Sequence, residues 1–161
     1  MLFRSRYAKQ VAHAIVARRT TQSFTNSADL ASLVSSIVPY VPGKTTGHPA
    51  KRVFQALRIE VNGELEILEQ TIPAAVDVLS VGGRILVMSY HSLEDGIVKK
   101  ALVAKATSSA PLDMPIELPE HQPVLRMLTR GTAVASEDEK NENPRAASVR
   151  MRAAEKIRDA A

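Results

Sequence analysis

Seven consecutive residues, Ser89-Tyr90-His91-Ser92-Leu93-Glu94-Asp95, hold the densest set of reactive groups in the chain: two hydroxyls, a phenol, an imidazole and two carboxylates. An imidazole between two hydroxyls suggests nucleophilic catalysis, with Ser89 or Ser92 activated by His91 as in an α/β hydrolase. Local geometry argues against it. Adjacent Ser and His side chains diverge at a strand end, no Gly-x-Ser-x-Gly elbow is present, and no orienting acid is identified. Two readings remain open from the pattern alone: a ligand-binding corner, or a solvated loop that ends in a helix cap.

The elements that must position this corner are legible around it. Ile85 to Met88 is apolar at every position instead of alternating, which predicts a strand covered on both faces, as in a parallel sheet flanked by helices. Gly82-Gly83 marks the turn that starts it. Ser92 is placed to cap a following helix, with Asp95 three residues on and Glu94 beside it, where the positive end of the helix dipole favours carboxylates. Leu93, Ile97 and Ala101 predict the apolar face of that helix, widened by Val98 and Leu102, while Lys99, Lys100 and Lys105 sit toward its negative end. The corner therefore falls at the carboxyl end of a central strand, the place where open α/β sheets bind ligands.

With 161 residues, 45% of them apolar, the chain can fill one modest core, so one domain or a small domain with a helical annex is expected. No cysteine is present, which excludes disulfides, a thiolate nucleophile and cysteine-ligated metal, and no metal site is assigned. No apolar run suits a membrane span or a signal peptide, so a cytoplasmic protein with no membrane partner is expected. The net charge of +4 conceals an asymmetry. Residues 1–58 carry nine Lys and Arg against one Asp, a net of +8; residues 59–142 carry seven against fourteen acids, a net of −7. A basic annex on an acidic body suits a polyanion, because each neutralised phosphate releases condensed counterions.

In chain order, a first helix is predicted over 4–19, with Tyr7, Val11, Ala14, Ile15 and Arg18 at helical spacing. Asn26 or Ser27 caps a second, which Pro39 stops. Residues 39–49 are a loop by their prolines and glycines; Lys44, Thr45 and Thr46 suit phosphate contacts there, although Gly43-Lys44-Thr45 lacks the preceding glycine and strand of a true phosphate loop. Pro49 suits the first turn of a third helix with Val53, Phe54, Leu57 and Val61 inward and Lys51, Arg52, Gln55 and Arg58 outward. A further helix carries Leu65, Leu68, Ile72, Val76 and Leu79, and Pro73 predicts a kink or a split in it. Residues 106–123 read as a proline-punctuated loop, either an ordered crossing or flexible. Val124 to Arg130 and Ala147 to Ala153 predict an antiparallel pair at a sheet edge, joined by an exposed loop over 131–146.

Three blocks, His48-Pro49-Ala50-Lys51-Arg52-Val53-Phe54-Gln55-Ala56-Leu57-Arg58-Ile59, Ser89-Tyr90-His91-Ser92-Leu93-Glu94-Asp95 and Asn143-Pro144-Arg145, resemble in order and spacing those of the bacterial MraW (RsmH) family. The resemblance runs from about Arg6 to Ile157. It departs where the family usually has Phe at Tyr90, Arg at Gly96 and a further basic residue near Ala147.

The resemblance implies an S-adenosylmethionine-dependent enzyme that methylates N4 of a cytidine in the decoding region of small-subunit ribosomal RNA. It implies an α/β fold: the carboxyl-terminal strands and helices of a Rossmann-like class I methyltransferase sheet over 59–161, with a basic helical insertion subdomain over 1–58. The family's glycine-rich turn, ribose-holding acid and catalytic loop have no counterpart here. The chain is therefore expected to be a fragment inactive alone, with no cofactor-binding residue of its own and an unpaired sheet edge within 60–90 open to self-association. By position, Tyr90 suits stacking on the base, and His91 and Ser92 suit orienting a phosphate or the target amine, with His91 a candidate base. Arg4, Lys9, Arg18, Arg19, Lys51, Arg52, Arg58 and Arg145 are the candidate RNA contacts, and the partner is small-subunit ribosomal RNA or the 30S subunit. The rival from another class is a non-catalytic RNA-binding or ribosome-associated module.

Overall fold

The computed structural model describes residues 6–39, 47–111, 113–114 and 116–160. The chain divides into two compact units, 1–63 and 64–161. Arg4, Lys44, Thr45 and Thr46 lie outside the described residues.

The first unit holds three helices: α1 (Ala8–Thr21), α2 (Ser27–Ile37) and α3 (Lys51–Asn62). Asn26 caps α2, its side-chain oxygen accepting the Asp29 N–H at 3.0 Å, and the helix ends before Pro39 as its missing N–H requires. Val11, Val34, Ala50 and Val53 form the buried centre, with Tyr7, Ile15, Leu30 and Phe54 packed against them. Along α3 the inward residues are Val53 and Ile59, not Leu57 and Val61; Val61 is 82% exposed. The helix stops at Gly63, whose φ of +61° is a left-handed conformation that suits glycine.

The second unit opens with α4 (Glu64–Asp77), which continues through Pro73 as one helix instead of splitting. Burial of Ile72 and Val76 on either side, roughly 1.5–3 kcal/mol each, offsets the proline's cost of about 3 kcal/mol. A turn through Gly82, at φ +85°, leads into β1 (Arg84–Ser89). A helix α5 (Ser92–Lys105), strand β2 (Leu125–Met127), short helix α6 (Glu137–Glu142) and strand β3 (Arg150–Lys156) follow. The sheet order is β1-β3-β2, and β3 runs antiparallel to both neighbours, so β1 and β2 are parallel to each other.

Several expectations are corrected here. The antiparallel pair exists, but β3 is the middle strand instead of an edge strand. The apolar run of β1 is covered on one face among the described residues: Ile85 and Val87 pack on the core, whereas Leu86 and Met88 are each 61% exposed. No described strand pairs with the outer edge of β1. The α5 face is also rotated from the expected one. Val98 and Leu102 are its buried residues together with Asp95, and they join Ile72, Val76, Leu125 and Ala154 in the core. Ala101 packs against that core, while Leu93 and Ile97, together with Ala101, Glu69 and Lys100, line an open groove of about 540 Å3 between α4 and α5.

The expected loop over 131–146 contains α6, started by Ser136, whose hydroxyl accepts the Glu139 N–H at 3.1 Å. The stretch over 106–123 is anchored at both ends, with 112 and 115 outside the described residues. Its ends are clasped by Ser109 N–H donating to the His121 carbonyl at 2.9 Å and Val124 N–H to the Lys105 carbonyl at 2.8 Å. Lys156, buried at the end of β3, donates to the Leu79 carbonyl at 2.7 Å and the Asp77 carbonyl at 3.3 Å, tying the sheet to the end of α4.

Candidate functional site

At the end of β1 the backbone turns through Tyr90 and His91 into α5. Ser89 is buried, Tyr90 is 56% exposed and Ser92 is exposed. The cap is His91, not Ser92, which is the first helical residue. An imidazole reaches the N3 amide as a serine hydroxyl would: His91 Nδ1 accepts the Glu94 N–H at 3.4 Å. Glu94 completes the box by turning back, its Oε2 accepting the Tyr90 N–H at 2.7 Å and the His91 N–H at 3.1 Å.

This arrangement limits what the corner can do. Two backbone donors of the corner, the Tyr90 and His91 N–H groups, are already taken by the Glu94 carboxylate. With Nδ1 accepting, the neutral ring carries its proton on Nε2, and that buried atom has no hydrogen-bond partner. Glu94 Oε1 stands 3.1 Å from it, but off the direction an N–H needs, so the short distance is not a hydrogen bond. Acting as a base would cost His91 its cap. Gly82-Gly83 lies before β1, at the other end of the strand from this corner. Among the described residues no three His, Asp or Glu side chains come together to hold a metal ion.

Behind the corner lies a buried cluster that the sequence did not announce. Asp95, in the first turn of α5, receives Arg152 Nε at 2.7 Å on Oδ1 and Arg152 Nη2 at 3.1 Å on Oδ2. Arg152 also donates to the Gly131 carbonyl at 2.9 Å and the Thr132 hydroxyl at 2.7 Å, so one guanidinium joins α5, β3 and the 131–132 loop. Arg150 adds a longer contact to Asp95 at 3.4 Å. The Arg152 hydrogen bonds hold the Asp95 carboxyl below its ordinary range against the opposing effect of burial, with Arg150 helping. The available signal was two arginines at alternate positions in a strand whose remaining residues are mostly apolar, across from an acid at a helix start.

Of the candidate RNA contacts, Lys9, Arg19, Lys51, Arg52 and Arg58 are exposed on α1 and α3, and Arg145 is exposed beside the Asn143 turn. Arg18 is already committed. It chelates Asp29, with Nη1 at 3.2 Å from Oδ1, and lies over the Phe24 ring at 5.5 Å. Arg6 likewise covers the Tyr7 ring at 4.9 Å. No described helix is long and apolar enough to cross a membrane.

Comparison with known proteins adds a family to this geometry. The chain is 57% identical over 153 residues to the ribosomal RNA small subunit methyltransferase H of Pseudarthrobacter chlorophenolicus, covering 95% of this chain and 46% of that protein. Its likeness to the proteins of the same name from Saccharopolyspora erythraea and Kocuria rhizophila is 55% over 155 and 154 residues, in each case 96% of this chain and 47% of theirs. The chain spans about half the length of the curated relatives it matches. A model of the MraW methylase family matches residues 3–157, and with these identities the chain belongs to that family.

Proposed function

We propose that this chain serves as the carboxyl-terminal part of an S-adenosylmethionine-dependent methyltransferase acting on N4 of a cytidine in the decoding region of small-subunit ribosomal RNA. In this reading the sheet is one end of a Rossmann-like sheet, residues 1–58 are a basic substrate-recognition insertion, and the chain alone transfers no methyl group. The observation that carries it is the state of β1 in a member of this family. Leu86 and Met88 are exposed, and no described strand pairs with the edge beside the Tyr90–Ser92 corner, as a sheet awaiting further strands requires. Tyr90, the exposed aromatic of the corner, is the residue placed to stack on an extruded base. The methyl donor would be held by the part of the enzyme beyond the matched residues.

Reconstitution tests this. The amino-terminal half of the Pseudarthrobacter chlorophenolicus relative is mixed with this chain, and methyl transfer from labelled cofactor to small-subunit RNA or immature subunits is followed. Transfer should appear only in the mixture and fall with Tyr90→Ala. A one-to-one complex that binds the cofactor yet transfers nothing to any ribosomal substrate sinks the enzymatic reading. It would favour the second one, a non-catalytic RNA-binding module, for which the engaged His91–Glu94 cap already speaks.

A further inference from the structure

Arg150 is absent from the cations that the sequence singles out, yet its position sets it apart. The β1–β3 register puts it directly across from Ser89, at the carboxyl end of β1 where ligands of open α/β sheets bind. Directly opposed residues of an antiparallel ladder share a face, so Arg150 lies on the side of buried Ser89, toward the start of α5. There it meets a carboxylate that is already satisfied. Arg152 engages both oxygens of Asp95 at 2.7 and 3.1 Å, while Arg150 reaches one of them with a single nitrogen at 3.4 Å. The Arg152 side chain is 7% exposed and that of Arg150 48%. One carboxylate cannot neutralise two guanidiniums, and with Arg152 sealed in, the surplus positive charge faces outward at Arg150. The far end of the sheet offers a comparison. Glu155 also meets two arginines, Arg84 at 3.1 Å and Arg126 at 2.9 Å, so a like surplus of charge stands there, away from the Tyr90–Ser92 corner.

We infer that Arg150 is a phosphate-contacting residue, a guanidinium aimed by the Asp95–Arg152 pair at the backbone of an RNA strand brought to the Tyr90–Ser92 corner. The inference rests on the RNA-substrate reading above. A guanidinium suits the role because its planar fork matches two phosphate oxygens and its charge does not titrate away. Asp95 holds it loosely enough that a phosphate can take over its remaining donors.

The test measures binding of the 161-residue chain to a fluorescently labelled RNA hairpin over a range of salt concentrations, comparing Arg150→Gln, Arg150→Lys and the matched control Arg126→Gln. Losing one phosphate contact lowers the slope of log K against log salt by about 0.7–0.9. Arg150→Gln should show that drop, Arg150→Lys should restore most of it, and Arg126→Gln should leave the slope unchanged. If Arg150→Gln lowers only the melting temperature and not the slope, Arg150 is an ion-pair partner and nothing more, and the inference is overturned while the RNA reading stands. Equal losses from Arg150→Gln and Arg126→Gln also overturn it, since any surface cation would then do. Absence of salt-dependent binding by the parent chain removes the RNA reading and the inference together.

Discussion

His91 caps α5 through Nδ1, which accepts the Glu94 N–H, and that contact makes a sharp distinction between neighbours. His91→Ala should cost roughly 1 kcal/mol of stability through the lost cap, while Ser92→Ala should cost almost nothing, as denaturant titration will show. Asp95 is the larger stake. Removing it by Asp95→Ala leaves the buried Arg152 charge without a partner and should cost about 3–5 kcal/mol. The double variant Asp95→Leu/Arg152→Met should recover much of that loss; strict additivity of the single effects would show that the pair does not act as a unit. Asp95 also gives the fold an acid limb. Its folded carboxyl titrates below the unfolded value, so the unfolded chain binds the proton more readily. The contribution is therefore complete above about pH 4 and is lost as pH falls through the folded value. Denaturation measured at successive pH values should show this limb in the parent chain and a flatter one in Asp95→Asn.

Among the elements, β1 departs furthest from what its composition suggests. Four apolar residues in succession promise two covered faces, and within this chain α5 and α4 supply one. Composition reports the environment in which a strand works, not how much of that environment one chain contains, so this shortfall was not legible from residues 85–88 alone. The same strand makes self-association testable. Leu86→Lys with Met88→Lys should keep the fold and reduce any association seen by sedimentation, because a charged edge strand resists pairing with another; unchanged association would locate the contact elsewhere. The bounds of α2 were read well, since Asn26 and Pro39 act through local sterics and hydrogen bonds, whereas α4 ends at Asp77, short of Leu79 and of Gly82-Gly83. The His91 cap was missed because a serine one residue later carries the stronger local preference, and Val98 and Leu102, expected only to widen the α5 face, are its buried centre. Gly83 illustrates a constraint no local rule announces: a Cβ there would stand 2.8 Å from the Ser80 carbonyl oxygen, so Gly83→Ala should destabilise the turn and lower the melting temperature.

For the molecule as a whole, charge was the most transferable signal and pairing the least. The basic character of residues 1–58 needs only counting, whereas the commitment of Arg18 to Asp29, eleven residues on, needs the fold. Reversing Lys9, Arg19, Lys51 and Arg52 to Glu should weaken RNA binding at low salt and flatten its salt dependence; unchanged binding would exclude these helices as the RNA surface. The sheet carries a different consequence, one of timing. Its middle strand, β3, follows both of its neighbours in the chain, and the Arg84–Glu155 pair spans 71 residues. During synthesis β1 and β2 therefore emerge with no described strand to pair with, and α5 must wait beside them with Asp95 unneutralised until Arg152 arrives. Such long-range closure is slow to form. In that interval the apolar stretch Ile85 to Met88 is open to any passing edge, so the yield of folded chain should depend on how fast the ribosome delivers residues 150–156 relative to how fast exposed strands meet each other.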